Sequence, residues 1–396
     1  MRILMLHNRY LTPGGEDQST AAEVALLRDA GCEVELLERD NRQIEQLGNF
    51  KTALRTLWSS ESFREIHDKL NSSQFDLLHV QNFFPLWSPA VYYAAGKCRV
   101  PVVQTLRNYR LMCVNATMFR DHMPCEDCLG RALPWPGVIH SCYRESHAGS
   151  AVVASMIGLH NMLGTWKNKV QIYVALTGFA REKYIMGGLP AEKIIVKPNF
   201  VYPFPAPGPG GGGYALFAGR LSPEKGIKTL LEAWNGAEGP LPLKIAGEGP
   251  LREFVSTSAE SAPAIQYLGP KTANECYELM GQAEFLVFPS EWYEGMPRTV
   301  IEAFAAGTPV LASNIGATAS MVVHGKTGFH FPAGDVAGLR RQAEWCSRNL
   351  QEVQALRKNA RAAFEEKYTG AANIEMLLAI YRKAQGQLPQ HNSAAT

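Results

Sequence analysis

Short apolar runs alternate along this chain with stretches of helical periodicity, and no other feature limits its possible folds so strongly. In the first half these runs lie at 3–6, 34–37, 77–80, 100–105 and 172–176. Runs of this length that are rich in Val, Ile and Leu are typical of strands buried on both faces. An amphipathic stretch at 19–30 ends at Gly31, as a helix would. The alternation predicts parallel βαβ units, and hence an α/β fold with a doubly wound sheet.

The pattern stops at residues 203–213, where prolines give way to four consecutive glycines. This composition is typical of a linker that is stiff in its first half and flexible in its second. The alternation then resumes, with apolar runs at 214–218, 243–246, 285–288, 309–312 and 328–331 and helical stretches at 226–234 and 299–306. Two α/β domains joined by one linker would form a cleft, which is a usual place for ligands.

The expected organisation is a first domain over 1–201, a linker over 202–213 and a second domain over 214–370. Residues 371–396 are expected to form a helix that returns to the first domain, followed by a polar tail.

Composition narrows the classes of function. Lys and Arg total 39 against 37 Asp and Glu, and this net charge of +2 argues against a dedicated nucleic-acid binder. No apolar run approaches the ~18 residues of a membrane span, and the first residues do not resemble a signal peptide. Eight cysteines without a secretion signal are typical of reduced thiols, so we expect a cytoplasmic protein.

Two cationic residues follow the first apolar run of the second half. The sequence there is Ala218-Gly219-Arg220-Leu221-Ser222-Pro223-Glu224-Lys225-Gly226, between a predicted strand and a predicted helix. A helix N-terminus is predicted beside the planar guanidinium of Arg220 and the flexible ammonium group of Lys225. It adds backbone N–H groups and the positive end of the helix dipole. This set suits a diphosphate, although a solvated surface turn explains the same residues about equally well.

Residues 288–310 contain a pair of glutamates. They read as strand, loop, helix, turn and strand, with Glu294 in the loop, at the end of a strand where open α/β sheets bind ligands. Glu302 follows eight residues later, about two turns if the interval is helical throughout, so both carboxylates can share one side. Gly295 allows backbone N–H groups to approach a ligand closely. A capped helix with one solvated glutamate explains the pair alone, but the whole segment favours a site.

These residues resemble a known family. The motifs that carry the resemblance are Gly219-Arg220…Lys225-Gly226, Gly247-Glu248-Gly249-Pro250, and Glu294 with Glu302-Ala303-Phe304-Ala305-Ala306-Gly307-Thr308-Pro309-Val310. They are similar to motifs of the family 4 (group 1) retaining glycosyltransferases, specifically so in 214–330 and more loosely before residue 200. The resemblance implies two facing Rossmann-like domains, the GT-B fold, with a deep interdomain cleft. It also implies that the N-terminal domain binds the acceptor and the C-terminal domain the sugar nucleotide.

The resemblance also implies roles for individual residues. Arg220 and Lys225 would bind the donor diphosphate and stabilise the departing nucleotide. Glu294 would hydrogen-bond hydroxyls of the transferred sugar, and Glu302 would hold the ribose. Further donor contacts would come from Gly219, Gly295, Met296, Pro297 and Arg298. Because the chain has no Asp-x-Asp motif, we predict no cofactor for catalysis and no catalytic metal.

The first half carries two features of the same family. Gly14 and Gly15 precede the first predicted helix, and in the family such a pair lets the backbone approach the donor phosphates. A plain turn explains a glycine pair equally. After the strand at 100–105, family members often have a histidine where this chain has Arg107. Arginine cannot act as a base at neutral pH, so we place Arg107 in the catalytic site to support phosphate charge or bind an anionic acceptor.

Four of the eight cysteines fall within thirty residues: Cys113, Cys125, Cys128 and Cys142. A Cys-x-x-Cys pair with two flanking thiols suits a structural zinc with tetrahedral coordination. Unrelated buried thiols, or a redox-active Cys-x-x-Cys, fit the same pattern. The surrounding segment, near 113–142, has several prolines and poor periodicity, so we expect an irregular insertion.

The resemblance implies a nucleotide-sugar donor and a saccharide or lipid-linked acceptor in polysaccharide or lipid-linked glycan synthesis. A sugar-nucleotide epimerase and a non-catalytic nucleotide-sugar-binding protein of the same fold are the alternatives. Nucleic acid is not expected as a partner.

One segment is a candidate for peripheral contact with the inner membrane. Leu54, Leu57 and Trp58 follow helical spacing, with Lys51 and Arg55 beside them. A basic amphipathic helix of this kind can lie in a lipid headgroup layer. We favour the simpler explanation, a surface helix whose apolar stripe packs on the sheet.

Overall fold

A computed structural model describes residues 1–10, 14–235 and 241–386. Residues 12 and 13, before the glycine pair, and the polar tail predicted at 387–396 lie outside the described residues. The chain forms two compact units. Unit 1 comprises Met1–Thr117, Glu126–Pro198 and the chain from Asn373 on, and unit 2 comprises Met118–Cys125 and Asn199–Ala372.

The strands of the described residues are numbered along the chain. They are β1 (Arg2–Arg9), β2 (Glu33–Asp40), β3 (Leu77–Val80), β4 (Val102–Leu106), β5 (Phe119–Arg120), β6 (Met123–Pro124), β7 (Ile172–Ala175), β8 (Ile194–Val196), β9 (Ala215–Ala218), β10 (Leu243–Ala246), β11 (Ile265–Gly269), β12 (Phe285–Phe288), β13 (Val310–Ser313) and β14 (Gly328–Phe331).

The helices connect these strands. They are α1 (Gly15–Asp29), α2 (Gln43–Leu47), α3 (Asn49–Leu57), α4 (Ser60–Ser72), α5 (Ala90–Cys98), α6 (Pro136–Ile139), α7 (His147–Met162), α8 (Thr165–Asn168), α9 (Gly178–Met186), α10 (Ile227–Trp234), α11 (Arg252–Ser261), α12 (Ala273–Gln282), α13 (Arg298–Ala305), α14 (Gly316–Met321), α15 (Val336–Arg348), α16 (Leu350–Ala355), α17 (Arg357–Lys367) and α18 (Gly370–Gly386). Among the residues that are described, none of these helices combines the length and the apolar character needed to cross a membrane.

Unit 1 contains a six-stranded parallel sheet in the order β2-β1-β3-β4-β7-β8. Every residue of β3, β4 and β7 is buried, which explains their unbroken apolar sequences. One face is covered in part by α18, whose Leu377 and Ile380 join a core cluster with Ile3 and Val103. The sequence pattern did not reveal β8, a strand of three residues at the edge of the sheet.

Unit 2 contains a second six-stranded parallel sheet, in the order β11-β10-β9-β12-β13-β14. Its core joins Trp234 of α10 with Phe285 and Leu311 of the central strands. The edge strand β11 was also absent from the predicted runs, because its residues after Ile265 are exposed or half-buried. In this sheet the chain winds one way from β9 to β11 and the other way from β12 to β14.

Residues 202–213, expected to be a linker with a flexible second half, lie along unit 2. The amides of Gly208, Gly210 and Gly212 each donate a backbone hydrogen bond of 2.9 Å to the carbonyls of Ala306, Gly281 and Gln282. A Cβ on Gly208 would lie only 2.3 Å from the Cα of Gly281. Here the missing side chains permit close backbone packing, which is a different use of glycine from flexibility.

A buried histidine, His79 at the third position of β3, links that strand to its neighbours. One ring nitrogen lies 2.7 Å from the Tyr381 hydroxyl of α18, and the other lies 2.8 Å from the Thr105 hydroxyl of β4. Burial lowers the pKa of His79 to about 4, against the opposing pull of the Glu23 carboxylate. The folded protein therefore keeps this ring neutral at pH values where an unfolded chain takes up a proton.

We expect acid to destabilise the protein partly through His79. Between pH 6.5 and pH 4 the unfolded state binds a proton that the folded state excludes, so the free energy of unfolding falls as the pH falls. The contribution of His79 would be about 3 kcal/mol over this range. Denaturant unfolding at several pH values measures it, and His79→Gln should flatten this part of the profile. An identical pH slope in the variant would contradict the assignment.

Candidate active site in unit 2

The topology of unit 2 creates a site where its winding direction changes. This change falls between β9 and β12, which are paired neighbours in the sheet. Open α/β sheets bind ligands at such points, outside the carboxyl ends of the strands. The loop after β9 carries Gly219, Arg220 and Lys225, and the loop after β12 carries Glu294. The sheet thus brings together residues that are about seventy positions apart.

Lys225 and Glu294 form an ion pair between these two loops. Lys225 Nζ lies 2.6 Å from Glu294 Oε1, and the Ser290 hydroxyl donates to the same oxygen at 2.7 Å. The Glu294 side chain is 7% exposed and that of Lys225 is 21% exposed. The lysine also lies 5.5 Å from the ring centroid of Trp292, in cation–π range. Its ammonium group is therefore held in one place before any ligand binds.

Backbone and side-chain contacts fix the two loops against each other. The backbone amide of Glu291 donates to the carbonyl of Glu224 at 2.9 Å. The Glu291 carboxylate accepts a hydrogen bond from Thr229 Oγ1 at 2.5 Å. Gly226 precedes α10 with a φ of +69°, and a Cβ there would lie 1.9 Å from the carbonyl oxygen of Pro289. A larger residue at Gly226 would separate the loops.

Arg220 differs from Lys225 in that its side chain is exposed. Neither a hydrogen bond nor an ion pair of its guanidinium is found with another side chain of the described residues. The loop after β9 therefore carries both an exposed cation, Arg220, and the restrained cation Lys225.

Glu302 is occupied by an ion pair within α13. The Nε of Arg298 lies 2.7 Å from Glu302 Oε1, one helical turn apart, and both side chains are at most 15% exposed. Although burial opposes its charge, the Glu302 carboxylate and the Tyr277 hydroxyl raise the pKa of Arg298 above its ordinary value. Helix α13 begins at Arg298, so Glu294 lies in the loop before it, as the sequence pattern indicated, and only the second half of the interval from Glu294 to Glu302 is helical.

Residues between Glu294 and α13 form the rest of this loop. Gly295 and Met296 lead to Pro297, which caps the helix. Met296 is buried, and its sulfur lies 3.1 Å from the amide nitrogen of Asn199. This part of the loop is thus anchored in unit 2 by a thioether contact.

The predicted residues of the first half lie in unit 1. Gly14 is the N-cap of α1, and its amide donates to the Asp17 side chain at 2.9 Å, while Gly15 is the first helical residue. Arg107 follows β4 and donates two hydrogen bonds, of 2.9 and 2.7 Å, to Gln81 Oε1. The capping contact agrees with the plain-turn explanation of the glycine pair, and the partner of Arg107 was not expected from the sequence.

The predicted zinc site receives no support from the structure. Across residues 1–10, 14–235 and 241–386, no group of three or more His, Cys, Asp or Glu side chains is arranged to hold a metal ion. The cysteines Cys113, Cys125, Cys128 and Cys142 are among these residues. The sulfur of Cys128 lies 3.8 Å from the carbonyl oxygen of Pro134, at the limit of a weak hydrogen bond. The spacing of the cysteines alone was therefore insufficient to establish a metal site.

Comparison with known proteins identifies the region that carries this site. Residues 203–363 match the family described as "Glycosyl transferases group 1". Most of unit 2 is therefore similar to the group 1 glycosyltransferases. A glycogen synthase of Mycobacterium tuberculosis is 31% identical to the chain over 188 residues, which is 44% of this chain and 44% of that protein. The chain therefore matches less than half the length of this relative.

Solved structures extend the similarity to the whole fold. Sucrose-phosphate synthase from Thermosynechococcus elongatus is 16% identical with a TM-score of 0.70, over 96% of this chain and 98% of that one. Anabaena HepE in complex with UDP-glucose is 16% identical with a TM-score of 0.66, over 96% and 100%. These neighbours are GT-B glycosyltransferases, so the predicted α/β class with two Rossmann-like units of the GT-B type is confirmed.

Two residues of the site in unit 2 were not predicted from the sequence. Ser290 and Trp292, which hold Glu294 and Lys225, lie inside the segment that was singled out but carry no motif of their own. A hydroxyl four residues before a key carboxylate was the available signal, and it is too common to be decisive.

We expect Lys225→Met to destabilise unit 2, because it leaves the Glu294 carboxylate buried without its cation. The loss should be about 1–3 kcal/mol, and Glu294→Gln in the Lys225→Met background should recover part of it. Thermal unfolding of the single and double variants measures the coupling. Lys228→Met, at an exposed lysine one turn further on, is the matched control and should have little effect. Additive effects of the two substitutions would contradict a structural ion pair.

Proposed function

We propose that this protein is a retaining glycosyltransferase that moves a sugar from a nucleotide-sugar donor to a saccharide or lipid-linked acceptor. The pathway would be polysaccharide or lipid-linked glycan synthesis. The observation that carries the proposal is the Lys225–Glu294 pair, which lies where the winding of unit 2 reverses and shares the loop after β9 with Arg220. The similarity of residues 203–363 to group 1 glycosyltransferases supports it.

The two cationic side chains would stabilise the negative charge of the leaving group. As the bond between the anomeric carbon and the phosphate oxygen breaks, its electron pair leaves with the nucleoside diphosphate. Arg220 and Lys225 would stabilise this growing negative charge, and Lys225 is already fixed by Glu294 and the Trp292 ring. Since two cations lie beside the expected diphosphate and the chain has no Asp-x-Asp motif, we propose metal-independent transfer.

The carboxylates would recognise the donor's hydroxyl groups. Glu294 would bind the transferred sugar, and Glu302, held by Arg298, would bind the ribose. Gly219, Gly295, Met296 and Pro297 would provide further contacts to the donor. Two buried donors in this loop and helix, Trp292 Nε1 and Arg298 Nη1, have no hydrogen-bond partner among the described residues. Hydroxyl or phosphate oxygens of a ligand would satisfy them.

Unit 1 would contribute to the same reaction. The backbone at Gly14 and Gly15 would approach the donor phosphates, as the family resemblance implies. Arg107 would provide a permanent positive charge for a phosphate or for an anionic acceptor.

The test begins with the donor. In a thermal-shift screen of UDP-, GDP- and ADP-sugars, one donor should stabilise the protein by mass action. With that donor and an acceptor, the anomeric proton in the product NMR spectrum should show the donor's configuration. Arg220→Ala should lose about 2–4 kcal/mol of transition-state stabilisation, roughly 30- to 1000-fold in kcat.

Each rival function gives a distinct result in these assays. An epimerised sugar nucleotide without transfer would identify an epimerase, and donor binding without turnover would identify a binding protein. Transfer with inversion would overturn the retaining mechanism alone. Wild-type kinetics for Arg220→Ala would remove Arg220 from the site.

A separate observation favours contact with a membrane surface. Of the apolar stripe predicted at Leu54, Leu57 and Trp58, Leu54 is 52% exposed and so does not fit packing on the sheet, while Trp58 packs against the Tyr93 ring at 5.2 Å. Phe50 of the same helix, α3, is 77% exposed. Helix α7 packs beside it, through a contact of 3.1 Å between His160 Nε2 and the Leu57 carbonyl, and exposes Met162 at its end. Arg55, expected to face lipid, is instead paired with Glu61 at 2.6 Å.

We propose that Phe50, Leu54 and the exposed Lys51 place a cytoplasmic protein on anionic lipid. Co-sedimentation with vesicles of phosphatidylglycerol and phosphatidylcholine at low salt should recover the wild type in the pellet. The variant Phe50→Ser with Lys51→Glu and Leu54→Ser should stay in the supernatant. Phe254→Ser removes an exposed aromatic side chain from unit 2 and should bind as the wild type does. Equal recovery of wild type and triple variant would contradict the proposal.

A further inference from the structure

Gln81, the residue directly after β3, joins two charged groups of unit 1. Its Oε1 accepts hydrogen bonds from Arg107 Nε and Nη2, at 2.9 and 2.7 Å. Its Nε2 donates to Glu23 Oε1 at 2.5 Å. The side chain is 2% exposed, so water does not compete for these bonds. One amide thus bridges a carboxylate within the unit and a guanidinium at the edge of the sheet.

The two charges determine the direction of this amide. A guanidinium has only donors and an ionised carboxylate has only acceptors, so the carbonyl must face Arg107 and the NH₂ group must face Glu23. Turning the amide around would place donor against donor and acceptor against acceptor. The charge of Glu23 is therefore what makes Gln81 present its oxygen to Arg107.

Glu23 is kept charged by a buried lysine. Lys197 Nζ lies 3.0 Å from Glu23 Oε2, and both side chains are 2% exposed. Burial opposes the ionised form, but Lys197 and His79 hold the pKa of Glu23 well below its usual range. Lys197 also donates to Asn373 Oδ1 at 2.9 Å, and Asn373 donates to the carbonyl of Pro198 at 2.7 Å. The lysine is thereby fixed from two sides.

Stability alone is a poor reason for such a network. Replacing a buried ion pair by apolar residues of similar volume is often neutral or stabilising, because desolvation of both charges is costly. The outer end of this one is Arg107, at the carboxyl edge of a parallel sheet, where ligands bind. A guanidinium bonded through both Nε and Nη2 loses much of the conformational freedom of a long side chain. The network therefore ends at Arg107, in a position where a restrained cation can bind an anionic ligand.

We propose that Gln81 is a positioning residue that holds the Arg107 guanidinium ready for an oxyanion of the substrate, with the Glu23–Lys197 pair fixing the direction of the Gln81 amide. The inference rests on the proposed function, since Arg107 meets a substrate only if transfer takes place. The oxyanion can belong to the donor diphosphate or to an acidic acceptor, and the experiments distinguish these sources.

The first experiment does not depend on activity. In protein with ¹⁵N-labelled arginine, the Arg107 Nε–H signal, assigned with Arg107→Lys, should exchange slowly with water because it is bonded to Gln81. Gln81→Met, which keeps the volume, should raise that exchange rate at least tenfold. Thr105→Val is the matched control, because it removes a hydrogen bond to His79 in the same core and leaves the bonds between Gln81 and Arg107 in place. An unchanged Arg107 signal in Gln81→Met would overturn the proposal.

The second experiment is a double-mutant cycle on transfer, with the donor found in the thermal-shift screen. Gln81→Met should lower kcat at least tenfold in the wild type and less than twofold in the Arg107→Ala background, because Gln81 acts through Arg107. Thr105→Val should lower the unfolding temperature and leave kcat within twofold. Multiplying effects of the Gln81 and Arg107 substitutions would overturn the proposal.

Calorimetry with UDP identifies the source of the oxyanion, or with GDP or ADP if the screen selects that donor. Weaker binding by Gln81→Met points to the donor phosphates, while unchanged binding with a raised acceptor KM points to an acidic acceptor. Should Gln81→Met fail to fold, Gln81→Asn replaces it, since its shorter amide cannot bridge both partners. If no donor supports transfer, the proposed function fails, and the exchange experiment still decides whether Gln81 holds Arg107.

Discussion

Each unit is built on a parallel sheet whose central strands are covered on both faces, and this constraint decides where chemistry can take place. Every residue of β12 and β13 is buried, so the faces of these strands are closed to ligands. The loops at the strand ends remain, and the carboxyl ends of parallel strands meet at one edge. Arg220, Lys225 and Glu294 all lie in such loops. Their proximity is therefore a consequence of strand order and not of closeness in the sequence.

Each unit restrains a cation at the carboxyl edge of its own sheet, and the two arrangements are similar. In unit 2 a carboxylate, Glu294, holds Lys225 directly, with a serine hydroxyl on the same oxygen. In unit 1 a carboxylate acts on Arg107 through the amide of Gln81. Direct pairing neutralises part of the cation's charge, whereas a neutral amide orients the cation without adding an opposing charge of its own. The second arrangement suits a group that must attract an anion strongly.

The strands and the main loops could be predicted because buried parallel strands have unbroken apolar sequences. The edge strands β8 and β11 were missed because they are short or half-exposed and lack this signal. The glycines of 202–213 were read as flexible, since a sequence cannot show that Gly208 packs against Gly281. Motif spacing revealed Lys225 and Glu294, but nothing marked Gln81, whose partners are 26 and 58 residues away. Such contacts follow from the strand order, which the spacing of motifs does not give.

The ion pair within α13 bears on how a ribose would bind. Arg298 uses one oxygen of Glu302, and the charge of the carboxylate raises the pKa of the arginine. A carboxylate has about four lone-pair sites on its two oxygens, so the second oxygen can still accept hydrogen bonds from vicinal hydroxyls. Arg298 would then act as a clamp that fixes the carboxylate before the nucleotide arrives, and ligand binding would not have to break the pair. In this arrangement Glu302 loses its conformational entropy when the protein folds and not when the nucleotide binds, which favours binding.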